Sequence, residues 1–316
     1  MSVVAYDPSH AGVHTPSLEI ATSVRPAGPL TGGALNCDPQ LCPLAVTTHL
    51  PAAAFDDYLN AADPALWCKS GPWANGDPAF DVSWDNTANH IDFPAASGLM
   101  TMTLTDFGTD ANHPCSSGNC FGRSFASGEY RTNCFYGYGT YEAKFKTASP
   151  RGDGLVTSFF VYTGTPDGTI FDGGQDWHDE IDIEIFGRAP DPNKQQEAQC
   201  SPTDTLMQTN YFVKGIGGHE HITCLPFDAS AGLHTYRFVW SQNKIEFYYD
   251  PPAVNPVAAW TENRVPPDAP WPAQPGRIIM NTWAGNSTDP PTVNWLGTFS
   301  YQGVPRQAQY DEMHYY

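Results

Sequence analysis

The chain of 316 residues carries 15 Lys and Arg against 34 Asp and Glu, a formal net charge of −19. A balance that negative speaks against phosphate-backbone binding and docking on anionic lipid, so neither nucleic acid nor a membrane is an expected partner. With 28 Gly, 29 Pro, 13% aromatic and only 16% charged residues, many short strands are expected in place of long charged helices, coiled coils or disorder.

Residues 1–50 are rich in Pro, Gly, Ala and Thr and show no sustained period of two or 3.6. They read as an arm or linker of unassigned role ahead of a folded domain over 51–316. The opening MSVVAYDPSH has neither a basic head nor an apolar stretch. No run approaches the roughly 18 apolar residues of a membrane span. A secreted, monomeric protein without its signal peptide is the expectation. Strand patterns then follow quickly: MTMTL (100–104), TYEAKFKT (140–147), LVTSFFVYTG (155–164), EIDIEIFG (180–187), HTYRFVWS (234–241), KIEFYYD (244–250) and RIIMNTWAG (277–285). Each alternates or is β-branched and aromatic, and turn residues separate them. No segment reads as a helix of three turns. The predicted fold class is all-β, a sandwich of two curved antiparallel sheets with one concave face, and with loops at about 106–127 and 188–206.

Eight cysteines in a turn-rich, acidic chain point to an oxidising compartment. Zinc is the weaker reading, because no His lies at a compact ligand spacing beside them. Cys37/Cys42 in CDPQLC and Cys115/Cys120 in CSSGNC suit small disulfide loops. Cys68, Cys134, Cys200 and Cys224 would then pair among themselves in an order the sequence leaves open.

One segment dominates the chemistry: Asp179-Glu180-Ile181-Asp182-Ile183-Glu184-Ile185-Phe186-Gly187. In a strand, Glu180, Asp182 and Glu184 share one face while Ile181, Ile183 and Ile185 share the other. Three carboxylates in a row repel, and a solvated strand face or calcium-binding edge explains them poorly. Glu180 and Glu184 would have Cα atoms roughly 13 Å apart. Side chains leaning inward over Asp182 can close that towards the roughly 5–5.5 Å of a retaining glycosidase pair. Mutual repulsion helps one member keep its proton while another stays ionised.

EIDIE followed by a bulky residue and Gly resembles the catalytic strand of glycoside hydrolase family 16, whose members are jelly-roll β-sandwiches that cleave or transfer β-glucans and galactans with retention. Over about 51–316, WANGDPAF (73–80), GEYRTN (128–133), YGYGTYEAKFK (136–146), TSFFVYTG (157–164), NYFVKGIGGHE (210–220), FDASAGLHTYRFVW (227–240), MNTWAG (280–285) and WLG (295–297) are similar to the bacterial lichenases of that family. The resemblance implies Glu180 as nucleophile, Glu184 as general acid/base and Asp182 as the helper between them. It implies sugar-hydroxyl contacts at Glu129 and Arg131, and another polar and aromatic pair at Asn75 and Trp73. Phe160, Tyr162, Phe212 and Trp283 resemble the aromatic lining, and Asn210 and Asn281 its amides. Read without the family, Phe160 and Trp283 could be plain core, and Glu129 with Arg131 a surface salt bridge. His219 and Glu220 read as structural members of a Gly-rich turn.

The sequence also departs from the lichenase pattern. His178 stands where lichenases carry Trp two residues before the nucleophile, and Trp177 has moved to the opposite parity. HDEID and QTN (208–210) resemble the xyloglucan transglycosylases, whose C-terminal extension is absent. The expected function is hydrolysis of β-1,3-1,4-glucan by a retaining endo-β-glucanase that needs no cofactor for catalysis. A wall-glucan transglycosylase and a non-catalytic lectin-like sandwich are the alternatives. The resemblance also places Gly98 and Asp311 near positions that frame a structural calcium site on the convex face in relatives, although Asp311 reads equally as a solvated strand end.

Overall fold

The computed structural model describes residues 54–107, 120–148, 154–164 and 178–316. The arm, the expected Cys37–Cys42 loop, Cys115 and Trp177 lie outside the described residues. All seven strands read from the sequence are present: Met100–Asp106, Gly139–Lys146, Leu155–Thr163, Asp179–Phe186, His234–Trp240, Lys244–Tyr249 and Arg277–Ala284. They belong to two sheets that form an all-β sandwich.

The sheet that carries the carboxylates runs in the spatial order His221–Leu225, Thr205–Phe212, Asp179–Phe186, Leu155–Thr163, Arg277–Ala284, Glu129–Thr132, Trp67–Lys69. Every neighbouring pair in it is antiparallel. The second sheet centres on Gly139–Lys146, flanked by His234–Trp240 and Arg306–Tyr315. Its short strands Val82–Trp84 and Phe125–Ser127 form a parallel pair.

The core fills the space between the sheets. Ile181, Ile183 and Ile185 point into it with Phe159 and Val161, and meet Tyr141, Phe145, Tyr236 and Phe238 of the other sheet. Phe159 and Phe238 pack with ring centroids 5.3 Å apart. Each such fully buried side chain stabilises the fold by about 1.5–3 kcal/mol. Tyr310 crosses the core, and its hydroxyl donates towards the Ser158 and Asn281 carbonyls at 2.9 and 3.0 Å. The centre of the first sheet is thereby braced from behind, directly beneath two residues of its outer face.

Two long strands were not legible as strands. Thr205–Phe212 is buried at all eight positions, because one face packs on the core and the other lines a cleft, so no polar–apolar alternation survives. Arg306–Tyr315 alternates through Ala308 and Tyr310, then resumes at Met313 and Tyr315. A register shift between Tyr310 and Glu312 breaks the period. The helix Pro290–Leu296 has only two turns, with Asp289 as its N-cap and Pro in its first turn.

The 188–206 loop is cross-linked. Cys200 and Cys224 form a disulfide that ties it to the edge strand His221–Leu225. Cys68, Cys120 and Cys134 are disulfide-bonded as well. Arg188 grips the same loop through a two-pronged ion pair with Glu197, one prong at 2.6 Å, and both residues are buried.

Candidate active site

The outer face of the carboxylate sheet forms one cleft. Strand register decides which side chains meet there. Glu184 lies opposite Gln208 on one side and Ser158 on the other. Ser158 pairs with Asn281, and Asn281 with Glu129. One row across five strands therefore reads Gln208, Glu184, Ser158, Asn281, Glu129. The next row reads Asn210, Asp182, Phe160, Ile279, Arg131. A third begins Phe212, Glu180, Tyr162.

Hydrogen bonds run along the first row. Gln208 Nε2 donates to Glu184 Oε2 at 3.1 Å, the Ser158 hydroxyl to Asn281 Oδ1, and Asn281 Nδ2 to Glu129 Oε2 at 3.0 Å. The other Glu129 oxygen accepts from Arg131 and, at 2.6 Å, from the Ser70 hydroxyl. Arg131 Nε in turn donates to Ser70 at 2.6 Å. Glu129 and Arg131 are thus a buried, fully braced pair. Tyr130 between them points into the core.

The three carboxylates differ in surroundings. Asp182 is only 6% exposed. Burial, the charge of Glu180, a hydrogen bond to Glu180 and the charge of Glu220 push its pKa well above the usual carboxylate range. Glu184 is also pushed up, by burial and then by Asp182, with Glu220 adding to the effect and the Gln208 amide opposing it. Glu180 accepts from His178, Nε2 to Oε2 at 2.5 Å. The His178 ring is stacked on Phe212, with centroids 4.9 Å apart, and tilted against Tyr162 at 5.1 Å.

The remaining expected residues gather in the same cleft: Trp73, Asn75, Phe160, Tyr162, Asn210, Phe212 and Trp283 all line it. Arg131 lies over the Trp73 ring at 5.6 Å. Trp283 is both core and cleft wall, stacked on Phe80 at 4.0 Å. Asn210 uses its side-chain oxygen to accept the Tyr211 and His219 amides at 2.9 and 3.2 Å. Asn75 accepts the Asp77 amide at 2.9 Å in the same manner.

Several cleft residues escaped the sequence reading. Glu220 was read as part of a structural turn, yet it lines the cleft and acts electrostatically on Asp182 and Glu184. The turn doubles back because the His219 amide is tied to Asn210 and the His219 ring is stacked on Tyr211 at 3.7 Å. Gln208, Trp295 and Ser158 also line the cleft, and Ser70 reaches it through its hydrogen bond to Glu129; none of the four carries a local sequence signal for that place. Away from the cleft, Asp311 is paired with Lys144 at 2.6 Å, and Gly98 adopts a positive φ of 65°. Among the described residues, no group of three or more His, Cys, Asp or Glu side chains could hold a metal ion.

A sandwich whose cleft presents clustered carboxylates between aromatic walls defines a glycoside hydrolase. The model of glycosyl hydrolases family 16 matches residues 77–300, and the chain belongs to that family. It is 36% identical to a beta-glucanase of Paenibacillus polymyxa over 262 residues, 83% of this chain and 87% of that protein. The solved beta-glucanase of Bacillus licheniformis superposes with a TM-score of 0.61 at 31% identity, covering 84% of this chain and 98% of that one. A prokaryotic beta-1,3-1,4-glucanase (lichenase) from a mouse hindgut metagenome also gives 0.61 at 31% identity, with coverages of 84% and 99%.

Proposed function

We propose that the protein is a secreted, retaining endo-β-glucanase that hydrolyses β-1,3-1,4-glucan, with residues 51–316 as its catalytic domain. The observation that carries this reading is the unequal treatment of three adjacent carboxylates. Burial and neighbouring charge favour a proton on Glu184 and on Asp182. Glu180 instead receives the His178 hydrogen bond, which suits an ionised nucleophile. In the first step the Glu180 carboxylate attacks the anomeric carbon, and the glycosidic C–O bond breaks as the Glu184 proton moves to the departing oxygen. In the second, Glu184 takes a proton from water, whose oxygen displaces Glu180 and frees the sugar. Asp182, bonded to Glu180, limits the charge that accumulates between the two.

Sugar rings would stack on Trp73, Phe160, Tyr162, Phe212 and Trp283, while Asn75, Glu129, Arg131, Asn210 and Asn281 supply hydroxyl contacts. A lectin-like binder would have no use for a protonated Glu184. The mixed-linkage assignment draws on the likeness to the lichenase. No metal enters either step. A structural calcium near Gly98 and Asp311 is separate from this chemistry; Asp311 shares the Lys144 ammonium with Glu312.

Incubation with barley β-glucan, laminarin and xyloglucan, with and without an oligosaccharide acceptor, tests this directly. Hydrolysis of the mixed-linkage polymer with β-anomeric initial products is expected. Splicing of xyloglucan without mixed-linkage hydrolysis would replace this reading with a transglycosylase.

A further inference from the structure

We propose that Trp295, acting through Gln208, is a positioning residue for Glu184: a one-way chain of hydrogen bonds fixes one carboxyl oxygen as a standing acceptor and leaves the other to carry the transferred proton. The Trp295 indole Nε1 donates to Gln208 Oε1 at 3.1 Å, and Gln208 Nε2 donates to Glu184 Oε2 at 3.1 Å. An indole N–H can only donate, so the amide oxygen of Gln208 must face Trp295 and its NH₂ must face Glu184. The reversed amide would set two donors against each other beside the indole. Gln208 and Trp295 are 3% and 4% exposed, so water is poorly placed to relieve that conflict.

The indole itself is firmly held. The Trp295 carbonyl accepts from Arg188 Nε, whose guanidinium is locked to Glu197. The Trp295 ring meets Phe186 edge-on at 5.6 Å and leans on Trp283 at 5.8 Å. Its helix is capped by Asp289 at one end and by Gly297, with φ at 81°, at the other.

With Oε2 engaged by an N–H donor, the proton of Glu184 belongs on Oε1. The same geometry serves both half-reactions, because Oε1 gives its proton to the leaving oxygen and later takes one from water. The titratable groups facing Glu184 are Asp182 from its own strand and Glu220 from the turn before His221–Leu225. Both disfavour its carboxylate. Gln208 opposes them across one neighbouring strand, while Ser158 on the other and Trp295 on the helix are uncharged. If the indole N–H is lost, the amide is free to turn its oxygen towards Glu184 and repel the carboxylate.

This positioning role rests on the proposal that Glu184 is the acid/base. Trp295→Phe keeps an aromatic ring and removes the donor. The alkaline limb of kcat/KM on β-glucan should move up by about half to one pH unit, and kcat at neutral pH should fall roughly three- to ten-fold. Gln208→Met should produce the same upward shift. In the double variant the shifts should not add, because one chain has been cut twice. An unmoved limb in Trp295→Phe, or additive shifts in the double variant, would overturn the proposal. If Trp295→Phe does not fold, an unmoved limb in Gln208→Met overturns it equally. Persistence of the alkaline limb in Glu184→Gln would instead remove the acid/base assignment beneath it, so the two failures are distinguishable.

Discussion

His178 Nε2 lies 2.5 Å from Glu180 Oε2, with its ring stacked on Phe212 and tilted against Tyr162. An ionised carboxylate only accepts, so the imidazole proton belongs on Nε2. A residue two positions before the expected nucleophile thus holds it from its own strand face. The smaller ring can reach Glu180 with a hydrogen bond, an arrangement for which an indole at the same position is less well shaped.

That contact makes His178→Phe informative. The aromatic stack between Tyr162 and Phe212 survives, but the donor to Glu180 is lost. A hydrogen bond to a charged group contributes about 1.5–3 kcal/mol, so kcat should fall roughly ten- to hundred-fold with KM nearly unchanged. A raised KM with unchanged kcat would show that His178 binds substrate instead. His178→Trp should reduce transfer to oligosaccharide acceptors more than it reduces hydrolysis. Product analysis with excess acceptor reads that ratio, and unchanged transfer would argue against a role for His178 in acceptor use.

Glu180→Ala should abolish turnover while leaving the melting temperature close to that of the parent, because the covalent intermediate cannot form. Azide should then restore turnover of an activated β-glycoside and give the α-glycosyl azide. Parent-like activity in purified Glu180→Ala would eliminate the nucleophile assignment.

Loss at Glu184 should depend on the leaving group. Glu184→Gln should cost about 10²–10⁴-fold on polysaccharide, and far less on an aryl glycoside whose leaving group needs no proton. Steady-state rates on both substrates check this, and equal losses would mean that Glu184 is not the acid.

The carboxylate face and its isoleucine back were legible because period-two alternation survives wherever one strand face is polar, whereas the aromatic lining at Phe160, Tyr162, Phe212 and Trp283 followed only from the family resemblance. Legibility failed where both faces are apolar or packed, as in Thr205–Phe212, and where the bulge near Asp311 shifts the period of Arg306–Tyr315. Glu220 was hidden for a different reason. Its place in the cleft depends on a turn folding back onto Asn210, a tertiary contact that the local pattern GIGGHE does not encode. Ser70 and Ser158 acquire meaning only through register, since each becomes a link in a hydrogen-bonded row by lying near Glu129 or Asn281.

The Arg188–Glu197 clamp should matter for stability. Both side chains are buried, and Glu197 also accepts the Asp191 amide at 2.8 Å. Glu197→Ala leaves a buried guanidinium without its carboxylate, which typically costs about 3–5 kcal/mol. Thermal melts should show a drop on the order of ten degrees. A change of a degree or less would mean that solvent reaches Arg188 once the loop relaxes.

Asp182 should trade stability for function. Burial, followed by the charge and hydrogen bond of Glu180 and the charge of Glu220, raises its pKa well above the usual carboxylate range. A group whose pKa is raised on folding contributes stability that is fully present below its unfolded pKa. That contribution is lost as pH rises through the folded value. Asp182→Asn replaces the carboxylic O–H donor towards Glu180 with an amide N–H and carries no titrating proton. The variant should therefore gain on the parent as pH rises, with its melting temperature higher at pH 8 and the advantage shrinking towards pH 4. Activity should fall at the same time, because an amide cannot share or release a proton beside Glu180. Melts of both proteins at pH 4, 6 and 8 give the comparison. A difference that stays constant with pH would mean that Asp182 ionises alike in the folded and unfolded chains, and the buried, proton-holding helper would then be the wrong description of this residue.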